Sequence, residues 1–148
     1  MILLYANLHE VRYVDYKPRH CIGYQAKYLS RGMIQYCDGV ILFGCSGYTG
    51  TEKIAWDKLY KPKTYPFVEH HIDEYWIETY RRAGHDFVDM ESYHVKKLCK
   101  ELNVPFESVR YIVDRCGKRC VPWGINHFWL KYQHRRMQLK FNEYLREL

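Results

Sequence analysis

No apolar stretch in the sequence is long enough to cross a membrane, since a bilayer span needs about 20 such residues. The opening MILLYA is too short for the apolar core of a secretion signal and runs straight into polar residues. A cytoplasmic setting away from membranes, with reduced thiols, is therefore expected. There is no internal repeat and no low-complexity tract, which argues against a repeat array or a disordered chain. Lys and Arg are spread along the chain with no arm of consecutive basic residues, although the net charge is +6. That speaks against a dedicated nucleic-acid binder, for which the basic stretch KYQHRRMQLK (131–140) would be the remaining candidate. The six cysteines fall at 21, 37, 45, 99, 116 and 120. Cys116-x3-Cys120 with His127 downstream lacks a fourth zinc ligand. The cysteines are read as free or buried thiols, and neither metal nor cofactor is expected.

What is present is an ordinary globular composition: 47% hydrophobic and 27% charged residues over 148 positions. That length fits one domain, 1–148, with one core. Aromatics reach 17%, including 15 tyrosines, enough to fill a core or line a pocket that stacks on flat rings. ILLYA (2–6), VILFG (40–44), DFVDM (86–90) and SVRYIVD (108–114) read as strands. EVRYVDY allows one more short strand. Apolar spacing of three and four predicts helices over 21–37, 71–82 and 91–102, and a long helix over 125–148. CSGYTG reads as a turn of small residues. Alternating strands and helices of this kind predict a three-layer α/β domain, its mostly parallel or mixed sheet flanked by helices.

In such sheets ligands bind beyond the carboxyl ends of the strands. Those ends carry Glu10 after the first strand, Cys45, Ser46 and Gly47 after the second, Glu91 after the third and Asp114 on the fourth. Each acid alone has a plain alternative as a helix cap or a solvated loop charge. Four polar groups at equivalent strand ends are harder to dismiss together.

The segment VDMESYHVKKLCKELNVPFESVRYIVD resembles the C-terminal signature of the purine nucleoside phosphorylase and methylthioadenosine/adenosylhomocysteine nucleosidase superfamily. GVILFGCSGYTG is similar to that family's strand and glycine-rich turn, and ILLYANLHEV to its N-terminal strand and acidic loop. The resemblance implies a nucleoside-phosphorylase-like fold, trimmed after Gly50, and cleavage of an N-glycosidic bond. Carried over by position, Glu10 would activate the attacking water and Asp114 would protonate a purine at N7. Glu91 would accept the ribose hydroxyls, with Met90 packed on the sugar. Cys45, Ser46 and Gly47 would lie near the sugar or the nucleophile, and Arg110 would be a supporting charge. Phe67 and Tyr65 are candidates to stack on the base. The family habit of completing sites between subunits implies a homo-oligomer.

Water and phosphate are both used as nucleophiles by proteins of this kind. The phosphorylases that the chain resembles carry an arginine in the strand before the glycine turn, and here Leu42 and Phe43 stand there. Hydrolysis of a purine nucleoside or nucleotide is therefore favoured. Phosphorolysis, or binding without turnover, stays open.

Overall fold

The computed structural model describes residues 1–68, 74–115 and 123–148, with side chains apart from those of 69–76 and 114–127. Five strands form one sheet: β1 (Ile2–Tyr5), β2 (Arg19–Cys21), β3 (Val40–Tyr48), β4 (Phe87–Val88) and β5 (Phe106–Arg115). The helices are α1 (Arg31–Ile34), α2 (Glu74–Arg82), α3 (Ser92–Leu102) and α4 (Trp123–Arg146), with single 3-10 turns at Leu8–Glu10 and Tyr24–Ala26. The three-layer α/β expectation holds. β1 runs parallel to β2 and β3, β5 runs parallel to β3, and only β4 is antiparallel to its neighbour.

The strand alternation explains the layers. Ile2, Leu4, Val40 and Leu42 face one side and pack with Val95 and Cys99 of α3. Leu3, Ile41, Phe43, Val109 and Tyr111 face the other and pack with Met137 and Phe141 of α4. Period two in the strands meets the apolar stripe of a helix on each face.

Three expectations need correction. The apolar repeat over 21–37 is not one helix. It is β2, a 3-10 turn and the four-residue α1, because Gly23, Gln25 and Ala26 all take positive φ (75°, 56° and 56°). The repeat still reports burial, since Ile22, Ala26 and Ile34 join the α3-side core. Likewise CSGY is not a turn: β3 continues through it to Tyr48. The extra strand considered over EVRYVDY is also absent, and Arg19–Cys21 takes the edge instead. The first residues of the helix predicted over 71–82, and the Cys116, Cys120 and His127 positions, lie outside the described side chains or backbone.

One edge of β3 is broken in the middle, and this positions the site. β5 pairs with β3 along its whole length. On the opposite edge β1 stops at Leu42 and β4 begins at Gly47. Between them the backbone of β3 has no strand partner on that edge among the described residues.

Candidate active site

The gap in the edge of β3 is filled by two charged side chains. The amide of Cys45 donates to Glu10 Oε2 at 2.8 Å. Arg110 Nη1 lies 3.4 Å from the Cys45 carbonyl. An acid and a guanidinium thus take the backbone positions that a neighbouring strand would otherwise occupy. Gly44 makes this approach feasible. A Cβ built there would stand 2.3 Å from Glu10 Oε2 and 2.7 Å from Arg110 Nη1. Glycine is required here by crowding.

Arg110 is the hub. It is 1% exposed. Its Nε donates to Ser108 Oγ at 2.9 Å, and its Nη2 meets Ser92 Oγ and Asp89 Oδ1, each at 3.2 Å. Burial opposes its charge, but the carboxylates of Asp89, Glu10 and Glu91 outweigh that and hold its pKa above the ordinary value. On the other edge of β5 the backbone of Arg110 exchanges two hydrogen bonds with Tyr60, so the strand is held on both sides at this residue.

Asp89 and Glu91 divide the start of α3 between them. Asp89 Oδ1 accepts the amides of Glu91 (3.0 Å) and Ser92 (2.7 Å), and Ser92 Oγ donates to Asp89 Oδ2 at 2.7 Å. Asp89 is therefore the capping acid and the ionic partner of Arg110. Glu91 is left for other work. It is buried and accepts the backbone amide of Gln25 at 3.1 Å. Burial, partly offset by Arg110, pushes its pKa up to about 7. The donor amide is aimed by two successive non-glycine residues with positive φ, a backbone state that costs roughly 1–3 kcal/mol per residue and clusters at functional sites.

The antiparallel β4 sets the level of the cluster. Val88 pairs with Gly47, so the chain runs back along β3 towards Glu91. Arg110 pairs with Gly44 in β5. The acids and the arginine thus gather at Gly44 and Cys45, inside the sheet edge rather than beyond the strand ends. Further along, the backbone of Asp114 pairs with Gly47 after an irregularity in register; its side chain lies outside the described part of the structure.

Ser46 is buried and donates to the carbonyls of Val88 (3.0 Å) and Gly47 (3.1 Å), tying β3 to β4. The Cys45 side chain packs on the α4 side; burial and the Glu10 carboxylate push its thiol pKa well up, so the thiol stays protonated. Gly47 sits between Val88 and Asp114. Met90 is half-buried between the two acids. Phe67 is 48% exposed and meets the rings of Tyr93 and His94 edge-on. Tyr65 packs against Phe106. Sequence reasoning left Ser92, Ser108 and Gln25 out. Asp89-x-x-Ser92 before an apolar helix carried a capping signal, whereas Gln25 acts through its backbone and carried none.

The chain belongs to the phosphorylase superfamily, whose family model matches residues 8–131. No curated protein matches the chain. Among solved structures, the 5′-methylthioadenosine/S-adenosylhomocysteine nucleosidase of Helicobacter pylori is similar, with TM-score 0.74 and 12% identity over 99% of this chain and 97% of that one. The futalosine hydrolase of the same organism gives 0.73 and 12% over the same shares. The nucleosidase of Chlamydia trachomatis bound to adenine gives 0.65 and 14%, over 96% and 92%. At these identities the likeness is one of fold.

Proposed function

We propose that this chain is a nucleosidase that hydrolyses the N-glycosidic bond of a purine nucleoside or nucleotide. The observation that carries this reading is the convergence of Glu10 and Arg110 on Gly44–Cys45, with Glu91 nearby. Water attacks the anomeric carbon and gives its proton to Glu10. The C–N bond breaks, its electron pair leaves with the base, and the base takes a proton, a role assigned to Asp114 by the family resemblance. The products are the free base and the free sugar. Positive charge grows on the sugar in the transition state, and buried carboxylates stabilise it electrostatically. General acid–base transfer of this kind contributes about 10²–10⁴-fold.

Glu91 suits the sugar. A carboxylate with a pKa of about 7 is half ionised at neutrality, and ribose hydroxyls donating to it favour the ionised form. Met90, Ser46 and Gly47 line the approach in this reading, and Phe67 is the candidate to stack on the base. The adenine bound by the C. trachomatis neighbour supports the purine assignment.

Water is favoured over phosphate by the state of Arg110. A phosphate site needs an open guanidinium fork. Arg110 is already committed to Ser108, Ser92, Asp89 and the Cys45 carbonyl. Leu42 and Phe43 are fully buried in the two cores. No helix among the described residues is long and apolar enough to cross a membrane. A single domain over 1–148, working as a homo-oligomer in the cytoplasm, completes the reading; light scattering tests the assembly.

The test is incubation with purine nucleosides and their 5′-phosphates in phosphate-free buffer, followed by chromatography. Free base is expected from at least one. Thermal stabilisation by a nucleoside with no base released would instead mark a binding protein.

A further inference from the structure

We infer that Gln138, on α4, is a positioning residue that holds Glu10 at Cys45. The inference rests on the proposed role of Glu10 as the base that activates water. Gln138 is fully buried. Its Nε2 donates to the His9 carbonyl at 2.7 Å, and its Oε1 accepts the Tyr13 amide at 2.7 Å. Those two backbone groups bracket Glu10. One turn further along α4, Asn142 repeats the pattern. Its Nδ2 donates to the Tyr13 carbonyl at 2.7 Å, and its Oδ1 accepts the Asp15 amide at 2.8 Å. One turn back, the His134 ring meets the His9 ring edge-on at 5.2 Å and is itself hydrogen-bonded to Tyr111 Oη.

Residues 134, 138 and 142 fall on one face of the helix. That face does for residues 9–15 what a neighbouring strand would do. The segment has no ladder of its own: within 8–14 the backbone-to-backbone bonds are short turn bonds, such as Val11 to Leu8 at 3.1 Å and Val14 to Val11 at 2.9 Å, and Arg19 Nη1 donates to the Val11 and Val14 carbonyls at 3.3 and 2.9 Å. A primary amide suits the task because one side chain supplies both a donor and an acceptor. A carboxylate lacks the donor, and an aliphatic side chain leaves both backbone groups unpaired in the interior. The turn that carries Glu10 is thus set from the opposite side of the sheet to α3. Cys45 lies in between, and its amide registers where the carboxylate stands.

The test compares Gln138→Leu and Gln138→Glu with Met137→Ala, which removes packing from the same helix without removing a polar partner of residues 9–15. Amide exchange at Cys45 is measured in the 15N-labelled full chain at matched global stability, together with kcat and KM for base release. Gln138→Leu is expected to speed Cys45 exchange and to lower kcat by about 10-fold or more, as the loss of two buried hydrogen bonds near the base implies. KM is expected to change much less. Gln138→Glu, which keeps the acceptor for Tyr13 and loses the donor for His9, should fall between, and it carries the test if the leucine variant does not fold. Met137→Ala should leave both readouts at wild-type values once stability is matched. Equal effects of Met137→Ala and Gln138→Leu, or unchanged Cys45 exchange in Gln138→Leu, would overturn the inference. If the wild-type chain releases no base from any nucleoside, the role of Glu10 in hydrolysis fails, and Cys45 exchange alone still decides whether Gln138 holds the acid in place.

Discussion

The Glu10 carboxylate accepts the Cys45 amide at 2.8 Å in the stretch of β3 that neither β1 nor β4 reaches. The acid takes that backbone amide because no strand pairs with it on this edge among the described residues. In Glu10→Gln the side chain still accepts from Cys45 but no longer takes a proton. The variant should fold with a modest drop in melting temperature, since buried Arg110 loses one of its carboxylates, and release base about 10²–10⁴-fold more slowly. Circular dichroism and a base-release assay measure the two quantities.

Gly44→Ala separates the fold from the chemistry. The added methyl would meet the ends of two side chains, Glu10 Oε2 and Arg110 Nη1, rather than backbone. Small-to-large changes in a packed interior cost about 1–3 kcal/mol. A misplacement of 1 Å at a reacting group can cost about 10²-fold in rate. The variant is expected to fold with that modest loss of stability and to lose most of its activity. Near-normal turnover would show that Glu10 and Arg110 do not need their observed spacing.

Asp89→Ala should be the most damaging single change to stability in the cluster. It removes the cap of α3 and leaves Arg110 buried without its ionic partner, a combination worth about 3–5 kcal/mol. Glu101→Ala breaks the exposed pair with Arg31 and should cost less than about 1 kcal/mol. Urea unfolding of the two variants gives the comparison.

The pKa of Glu91 sets a pH dependence of stability. At pH values well below 4.5, the ordinary value, the carboxyl is protonated both folded and unfolded. Between 4.5 and about 7 the folded chain keeps a proton that the unfolded chain has released. Stability therefore falls as pH rises through that window, by at most about 1.4 kcal/mol per pH unit, and levels off above it. Glu91→Gln removes this slope, so its advantage over wild type should grow from pH 4.5 to 7 and then stay constant. Burial and His9 lower the pKa of His134 to about 4, which acts in the opposite sense as pH falls from 6.5. That contribution is common to both proteins and cancels in the difference of their unfolding midpoints.

The sequence made β1, α3 and the body of β5 legible because continuous apolar runs and a clean helical stripe each have one reading. It misled at 21–37, where Ile22, Ala26 and Ile34 are spaced as on one helix yet line the core from just past the end of β2, a 3-10 turn and α1. Spacing reports which residues are buried, and the positive φ values that break the helix at Gln25 and Ala26 left no trace in composition. Glycine misled at 47, which read as part of a turn but sits inside β3, whereas Gly44 lies in the strand as expected and is crowded by two charged groups. The acids Glu10 and Glu91 were visible from their places after the strands, and the resemblance added the roles expected of them. The centrality of Arg110 was not, because its partners Ser92 and Ser108 are ordinary residues until the fold brings them together. Gln138 was hidden for the same reason: its partners are backbone groups far away in sequence.

The most direct measurement is base release in phosphate-free buffer by wild type, Glu10→Gln and Asp114→Asn, each verified to be folded. The expected result is free base and free sugar from the wild type, and loss of both in the two variants. Base that appears only when phosphate is added, or wild-type rates in either variant, would contradict hydrolysis by these acids.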